Sequence, residues 1–212
     1  MKSVLIVDDH PVVRAAVKIV LEKEGFKRIY EASSGSEALS MLREHSPTLV
    51  VLDLVMPEGD GLDVLDRIRA SDWSCLVLVF TSLDPLFFQE RCMRAGAMAY
   101  VAKTNDLSQL HKAVHAVMTG YTYFARLPSG SQDALQRSEK QMIDKLSNRE
   151  LTILQYLARG TSNKAIAELM HLSHKTVSTY KTRLIEKLGV NAAVHLRDFA
   201  KRNHLILSLI HI

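Results

Sequence analysis

The sequence predicts an α/β fold in two parts: a five-stranded parallel, doubly wound (flavodoxin-like) sheet over residues 1–120, then an all-α four-helix domain over residues 146–212. Three observations predict it. Short apolar, β-branched runs alternate five times with stretches of helical period in the front part, the pattern of a parallel sheet covered by helices on both faces. The back part has helical period throughout and no strand signal. Charge divides at the same place. Residues 1–120 carry 13 Lys+Arg against 16 Asp+Glu and residues 146–212 carry 10 against 4, although the net over all 212 residues is only +4. Such an asymmetry points to an anionic partner for the back part.

The strands are expected at Val4–Val7, Arg28–Glu31, Leu49–Leu52, Leu76–Phe80 and Ala99–Val101. The third and fourth runs are almost wholly apolar, as suits central strands buried on both sides. Between them, apolar residues recur at spacings of three and four. Val13, Ala16, Val17, Val20 and Leu21 form the first stripe; Ala38, Leu39, Met41 and Leu42 the second; Leu62, Leu65 and Ile68 the third. Phe88, Cys92 and Ala95 form the fourth, and Leu107, Leu110, Val114 and Val117 the fifth. Over 121–145 the pattern weakens, and Leu127-Pro128-Ser129-Gly130-Ser131-Gln132 has turn residues without an apolar period, so this stretch reads as a linker. Four helices follow, near 148–158, 163–170, 174–188 and 191–203, parted by Gly160, Ser173 and Gly189.

Composition excludes other classes. Hydrophobic residues at 47% and charged residues at 24% are globular values, which argues against disorder. No apolar run approaches the roughly 20 residues a bilayer span needs. The N-terminus meets Asp8-Asp9 after four apolar residues, which makes a strand and not a signal peptide. Two cysteines, Cys75 and Cys92, cannot build a disulfide framework and read as buried thiols. The expectation is a soluble, cytoplasmic protein without a membrane partner.

In an open parallel sheet, ligands sit outside the carboxyl ends of the strands. Asp8 and Asp9 end the first strand, Asp53 the third and Thr81 the fourth, and Lys103 follows the fifth. Converging carboxylates repel, and a hard divalent cation with oxygen ligands relieves them; Mg2+ commonly takes one or two carboxylates, waters and phosphate oxygens. A lysine and a hydroxyl beside such a metal are what a phosphoryl group on Asp53 would need, and a carboxylate can be the nucleophile that accepts it. Chance carboxylates at strand ends are the bland alternative, which five suitable residues at four of the five strand ends weigh against.

These residues resemble the receiver domain of two-component response regulators, the CheY-like fold. Its marks here are Asp8 and Asp9, Asp53 within Val50-Val51-Leu52-Asp53-Leu54-Val55-Met56-Pro57, Asp60-Gly61, Thr81, Tyr100 and Lys103. The resemblance implies that Asp53 accepts the phosphoryl group with Thr81 and Lys103 assisting. It also implies that Asp9, Asp53 and the main-chain carbonyl of Val55 hold Mg2+, with Asp8 in the outer shell. Thr81 and Tyr100 would form the switch: phosphate draws Thr81 inward and Tyr100 rotates into the vacated space. Val55 and Leu83 stand where the family controls access of water to the phosphoryl group; both are apolar, which implies slow self-dephosphorylation. His10 is expected to cap or pack near the first helix, away from the phosphate.

In the back part, Ser147 with Glu150 three residues on is a capping box ahead of Leu151, Ile153, Leu154 and Leu157. A short helix, a turn and a second helix through Lys175-Thr176-Val177-Ser178-Thr179-Tyr180-Lys181-Thr182-Arg183 make a helix-turn-helix pattern, with Ala167, Leu172, Val177 and Ile185 expected between the helices. Short hydroxylic side chains among the basic ones suit close approach to a phosphate backbone better than a merely solvated face.

Residues 146–203 resemble the LuxR-type helix-turn-helix, and the whole chain resembles the NarL/FixJ class of response regulators, nearest the BvgA/EvgA branch. The family usually has His where this chain has Tyr180, and commonly Lys where it has Ser178. The resemblance implies that Ser178, Thr179 and Thr182 face the major groove and that Lys164, Lys175, Thr176, Lys181 and Arg183 mostly hold phosphates. It implies a homodimer through the last helix, Ala192–Asn203, paired half-sites in promoter DNA, a sensor histidine kinase (or phosphotransfer protein) as phosphoryl donor, and RNA polymerase as a partner. The apolar end, Leu205 to Ile212, is left open between packing on its own bundle, packing on a dimer mate and disorder. The expected function is a phosphorylation-controlled, DNA-binding transcriptional regulator, not an enzyme beyond its own phosphorylation and dephosphorylation. Two alternatives are an aspartyl-phosphate hydrolase of the haloacid-dehalogenase type and a constitutive DNA-binding protein with a non-switching receiver.

Overall fold

The computed structural model describes residues 2–56, 59–71, 73–103, 106–126, 134–170, 172–203 and 205. The chain divides into two compact units, residues 1–127 and 128–212.

The first unit contains β1 (Ser3–Val7), α1 (Pro11–Lys23), β2 (Arg28–Ala32), α2 (Gly35–His45), β3 (Leu49–Leu52), β4 (Val55–Met56) and β5 (Gly59–Asp60). It continues with α3 (Gly61–Ala70), β6 (Leu76–Thr81), α4 (Pro85–Arg94), β7 (Ala99–Ala102) and α5 (Ser108–Met118). Five strands form one sheet in the order β2-β1-β3-β6-β7, each neighbouring pair parallel. Alternate strand residues feed one core: Val4, Ile6, Leu49, Val51, Leu78, Phe80, Ala99 and Val101 pack with Val17 and Leu21 of α1 and Leu110, Val114 and Val117 of α5. Burying each such Val or Leu contributes on the order of 1.5–3 kcal/mol, which is why these apolar runs hold the frame of the site. The chain leaves β1 outward to β2 and then returns to β3 on the other side, so the order reverses between β1 and β3. Ligands collect at such a reversal, and Asp8 and Asp53 stand just past the two strands that form it.

Helix starts follow local chemistry. Pro11 opens α1, where its missing N–H costs nothing. Ser34 accepts from the Glu37 N–H at α2, and Asp84 Oδ1 accepts from the Leu86 N–H at α4. The short antiparallel pair β4–β5 carries no periodicity and was not expected. Gly61, which begins α3, must be glycine: a Cβ there would lie 2.2 Å from the Asp53 carbonyl oxygen. Cys92 is buried, but Cys75 is only half-buried because it sits in the turn before β6.

The stretch 121–145 is not all linker. Tyr123 lies parallel to Ala99 and extends the edge of β7, with its N–H on Met98 O at 3.0 Å and its carbonyl on Tyr100 N at 2.9 Å. Ala134–Asp144 is a helix, α6, belonging to the second unit, where Glu139 accepts from Arg202 and Asn203 and Ile143 is buried. The turn-rich segment 127–132 lies outside the described residues, as does Pro57.

The second unit adds α7 (Asn148–Ala158), α8 (Asn163–Leu169), α9 (His174–Lys187) and α10 (Ala193–Arg202). With α6, the described helices of this unit number five where four were expected. Ser147, Ser162 and Ser173 cap α7, α8 and α9. Leu151, Leu154, Ile166, Val177, Leu184, Leu196 and Phe199 fill the centre. The inward face of α9 is Val177 and Leu184, seven residues apart, and Ile185 is half-buried beside them. Leu205 packs inside its own bundle, its N–H on Ala200 O at 2.8 Å; residues 206–212 lie outside the described residues. Among the described residues no helix is long and apolar enough to cross a membrane.

Candidate functional site: an acidic pocket and a basic helix

At the carboxyl edge of the sheet, Asp53 follows β3 and is only 2% exposed. Its position is held by backbone: its N–H donates to Val7 O at 2.9 Å, and the Val55 N–H donates to its Oδ1 at 3.2 Å. The Lys103 ammonium, delivered by β7, lies 2.5 Å from Asp53 Oδ2 and 2.7 Å from Asp8 Oδ2. One cation thus bridges two buried carboxylates. Burial pushes the Asp53 carboxyl above its ordinary range, only partly offset by Lys103. Burial pulls the Lys103 ammonium down, but Asp53 and Asp8 outweigh it and hold its pKa above normal. The pocket therefore keeps a fully charged lysine beside a comparatively basic carboxylate.

Asp8 is buried and its Oδ1 accepts from the His10 N–H at 2.9 Å, while Arg14 donates to its carbonyl at 2.8 Å. Arg14 was not expected here; its second link is to Glu31. His10 occupies the N-cap of α1 without capping it through its side chain. Instead its Nδ1 lies 2.7 Å from Asp9 Oδ1 and 3.4 Å from Asp8 Oδ1, so it borders the acidic pair at the start of α1. The tight passage from β1 into Pro11 sets this. The 2.7 Å approach lacks hydrogen-bond geometry, and Asp9 Oδ1 is a buried oxygen without a donor. An orphaned Asp9 oxygen beside the buried carboxylate of Asp8, which shares Lys103 with Asp53, is a hard-oxygen donor set that fits Mg2+.

Thr81 ends β6 fully buried, its Oγ1 3.5 Å from the Leu83 N–H. Tyr100 of β7 is also buried and donates its hydroxyl to Leu83 O at 2.9 Å; burial holds this phenol well above its ordinary pKa, so it remains a donor. Thr81 and Tyr100 thus meet on the backbone of one residue, Leu83, whose side chain is 3% exposed.

In the second unit α9 presents Lys175, Thr179, Thr182 and Arg183 to solvent, and Thr176 is half-buried beside them. Ser173, Lys175, Thr176, Thr179, Tyr180 and Arg183 line a shallow depression on this face. Ser178 and Lys181 are half-buried flanks, and Ser178 Oγ lies 3.5 Å from Asn163 Nδ2 at the start of α8. Ser178 is therefore partly engaged within the motif. Lys164 is exposed on α8.

Known proteins match both units. The profile of the response regulator receiver domain matches residues 4–115, and that of bacterial regulatory proteins of the luxR family matches residues 144–200. BvgA of Bordetella pertussis is 48% identical over 208 residues, covering 96% of this chain and 98% of its own. EvgA of Escherichia coli, a DNA-binding transcriptional activator, is 32% identical over 203 residues, covering 96% and 99%. A solved structure of the Salmonella typhimurium RcsB response regulator aligns with a TM-score of 0.67 at 23% identity, covering 96% of this chain and 99% of that one, a likeness of fold. The chain belongs to the two-component response regulators of the NarL/FixJ class, a receiver joined to a luxR-family helix-turn-helix. It is a phosphorylation-dependent, DNA-binding regulator of transcription, from a family of regulators and not of catalytic enzymes. The haloacid-dehalogenase alternative falls with that assignment.

Proposed function

We propose that Asp53 is the phosphoacceptor and that its phosphorylation by a sensor histidine kinase, or a phosphotransfer protein, governs dimeric promoter binding by α9. The observation that carries this reading is the Lys103 ammonium bridging Asp53 and Asp8 at 2.5 and 2.7 Å. An Asp53 oxygen attacks the phosphorus of a phosphohistidine, the P–O bond forming as the N–P bond breaks. The raised carboxyl pKa favours that attack, and Lys103 remains charged to pair with the added phosphoryl oxygens. Asp9, Asp53 and the Val55 carbonyl, with Asp8 outside them, would hold Mg2+, which supplies further charge neutralisation at the phosphoryl oxygens. The Thr81 hydroxyl donates to a phosphoryl oxygen, and Tyr100 follows through the shared contact at Leu83. The receiver's own chemistry is this phosphorylation and the dephosphorylation in which water takes the phosphoryl group from Asp53 as inorganic phosphate.

On the DNA side, Thr179 and Thr182, with Ser178 at their flank, read base edges. Lys164, Lys175, Thr176, Lys181 and Arg183 bind phosphates. The protein would work in the cytoplasm and engage RNA polymerase at its promoters. Labelled acetyl phosphate, with Mg2+ present, tests the pocket. Wild type should take up label and Asp53→Asn should take up none. DNA affinity should rise on phosphorylation in wild type and stay fixed in Asp53→Asn; affinity that ignores phosphate in both would make the protein a constitutive binder.

A further inference from the structure

Gln89 lies on α4 and is 6% exposed, unusual for an amide that touches neither the acidic pocket nor the basic helix. Both ends of its amide are satisfied by the backbone of one residue, Ala125. Its Nε2 donates to Ala125 O at 2.9 Å, and its Oε1 accepts from the Ala125 N–H at 2.8 Å. A reciprocal pair of this kind imitates a strand ladder and fixes one backbone residue against one side chain. Ala125 is on the chain leaving the receiver, two residues before the end of the first unit. Just upstream, Tyr123 is bonded to β7 through Met98 O and Tyr100 N. The exit segment is therefore held at two points, by β7 at Tyr123 and by α4 at Ala125.

The second point depends on where α4 stands. The N-cap of α4, Asp84, directly follows Leu83, whose N–H faces Thr81 Oγ1 and whose carbonyl takes the Tyr100 hydroxyl. If Thr81 Oγ1 turns to a phosphoryl group, Leu83 keeps only the Tyr100 hydroxyl on its carbonyl, and the start of α4 can shift with that one hold. β7 is held in the sheet, so Tyr123 stays while Gln89 moves. We propose that Gln89 is a positioning residue that clamps the exit segment while Asp53 is unphosphorylated and releases Ala125 when Asp53 is phosphorylated, loosening the tether of the DNA-binding unit. This rests on Asp53 being the phosphoacceptor.

The test is residue-resolved amide hydrogen exchange on the full chain with Mg2+, with and without beryllofluoride as phosphoryl mimic. The mimic should speed exchange at Ala125 by about tenfold, the scale of losing one or two net hydrogen bonds, and leave Tyr123 unchanged. Gln89→Leu should show the fast Ala125 exchange without the mimic. Coupling is reciprocal, so that variant should also reach half-saturation at a beryllofluoride concentration lower by a similar factor, which a purely structural role would not produce. Gln89→Met, closer in shape, repeats the arm if Leu impairs folding, and the wild-type arms need no variant. If the Val55 and Lys103 amides respond to the mimic while Ala125 does not, or if the titration midpoint of a folded variant is unmoved, the clamp is overturned and the phosphoacceptor stands. If neither the pocket amides nor Ala125 respond, the phosphoacceptor reading fails and the clamp fails with it.

Discussion

By the receiver resemblance, Val55 and Leu83 hold the places that govern water at Asp53, and both side chains are apolar. Val55, half-buried, donates its N–H to the carboxylate, and Leu83 is buried and meets Thr81 and Tyr100 through backbone atoms. Neither can orient an attacking water, so the acyl phosphate should decay slowly. Val55→Asn should shorten its lifetime by on the order of tenfold, the effect of positioning one water, read as loss of label from phosphorylated protein. Leu83→Glu should act in the same direction but also tax folding, because the side chain is buried. Unchanged lifetimes in both would refute the account. At this scale the sequence was legible where chemistry is local to a strand end: Asp8, Asp9, Asp53, Thr81 and Lys103 each follow an apolar run, and parallel pairing brings such ends to one edge. Arg14 on the Asp8 carbonyl, His10 against Asp9 and the Gln89–Ala125 pair left no such mark, because each depends on backbone geometry or on a distant partner.

Among the elements, α7 and α9 are tied by a partly buried ion pair. Glu150, 3% exposed, completes the capping box with Ser147 and also accepts from Lys187 Nζ at 2.8 Å near the end of α9. Burial pushes its carboxyl up, but Lys187 and the Ser147 bonds together outweigh that and hold it below the ordinary range. A depressed carboxyl pKa means the folded state binds its proton later than the unfolded chain. The stabilisation is therefore complete above the unfolded-chain pKa and is lost as pH falls through the lower, folded value. Denaturant unfolding followed by exchange of the α7 and α9 amides should show the second unit weakening over that acid window. Lys187→Met should cost about 1–2 kcal/mol at neutral pH, the figure kept low because the lysine is half exposed, and should flatten that acid loss, because the group that depresses the Glu150 carboxyl is gone; a variant as stable as wild type would sink the argument. The capping box itself was readable from Ser147 and Glu150, three residues apart. Lys187, thirty-seven residues on, was not, and neither was α6, whose Glu139 finds its partners Arg202 and Asn203 only once α10 is in place.

For the molecule as a whole, a net charge of +4 resolves into an acidic receiver and a basic reader, and DNA binding should carry the signature of the second. Each phosphate neutralised by a lysine or arginine contributes roughly 0.9 to the slope of log affinity against log salt. A dimer carries every side chain twice. Lys175 is the clearer probe, because it is exposed at the start of α9 whereas Lys181 is half-buried on its flank. Lys175→Ala should therefore lower that slope by about 1.8 if two copies bind one site and by about 0.9 if one copy does, while weakening all sequences alike. Thr182 is exposed on the same face, its hydroxyl donating to Ser178 O at 3.2 Å. Thr182→Ala should leave the slope intact and re-rank preferred sequences, with a change of roughly 1–3 kcal/mol at the base pairs it reads. Fluorescence anisotropy on a sequence panel across a salt series separates the two. A uniform loss with Thr182→Ala would remove it from the groove, and a slope change near 0.9 with Lys175→Ala would mean that one protomer, not two, grips each site.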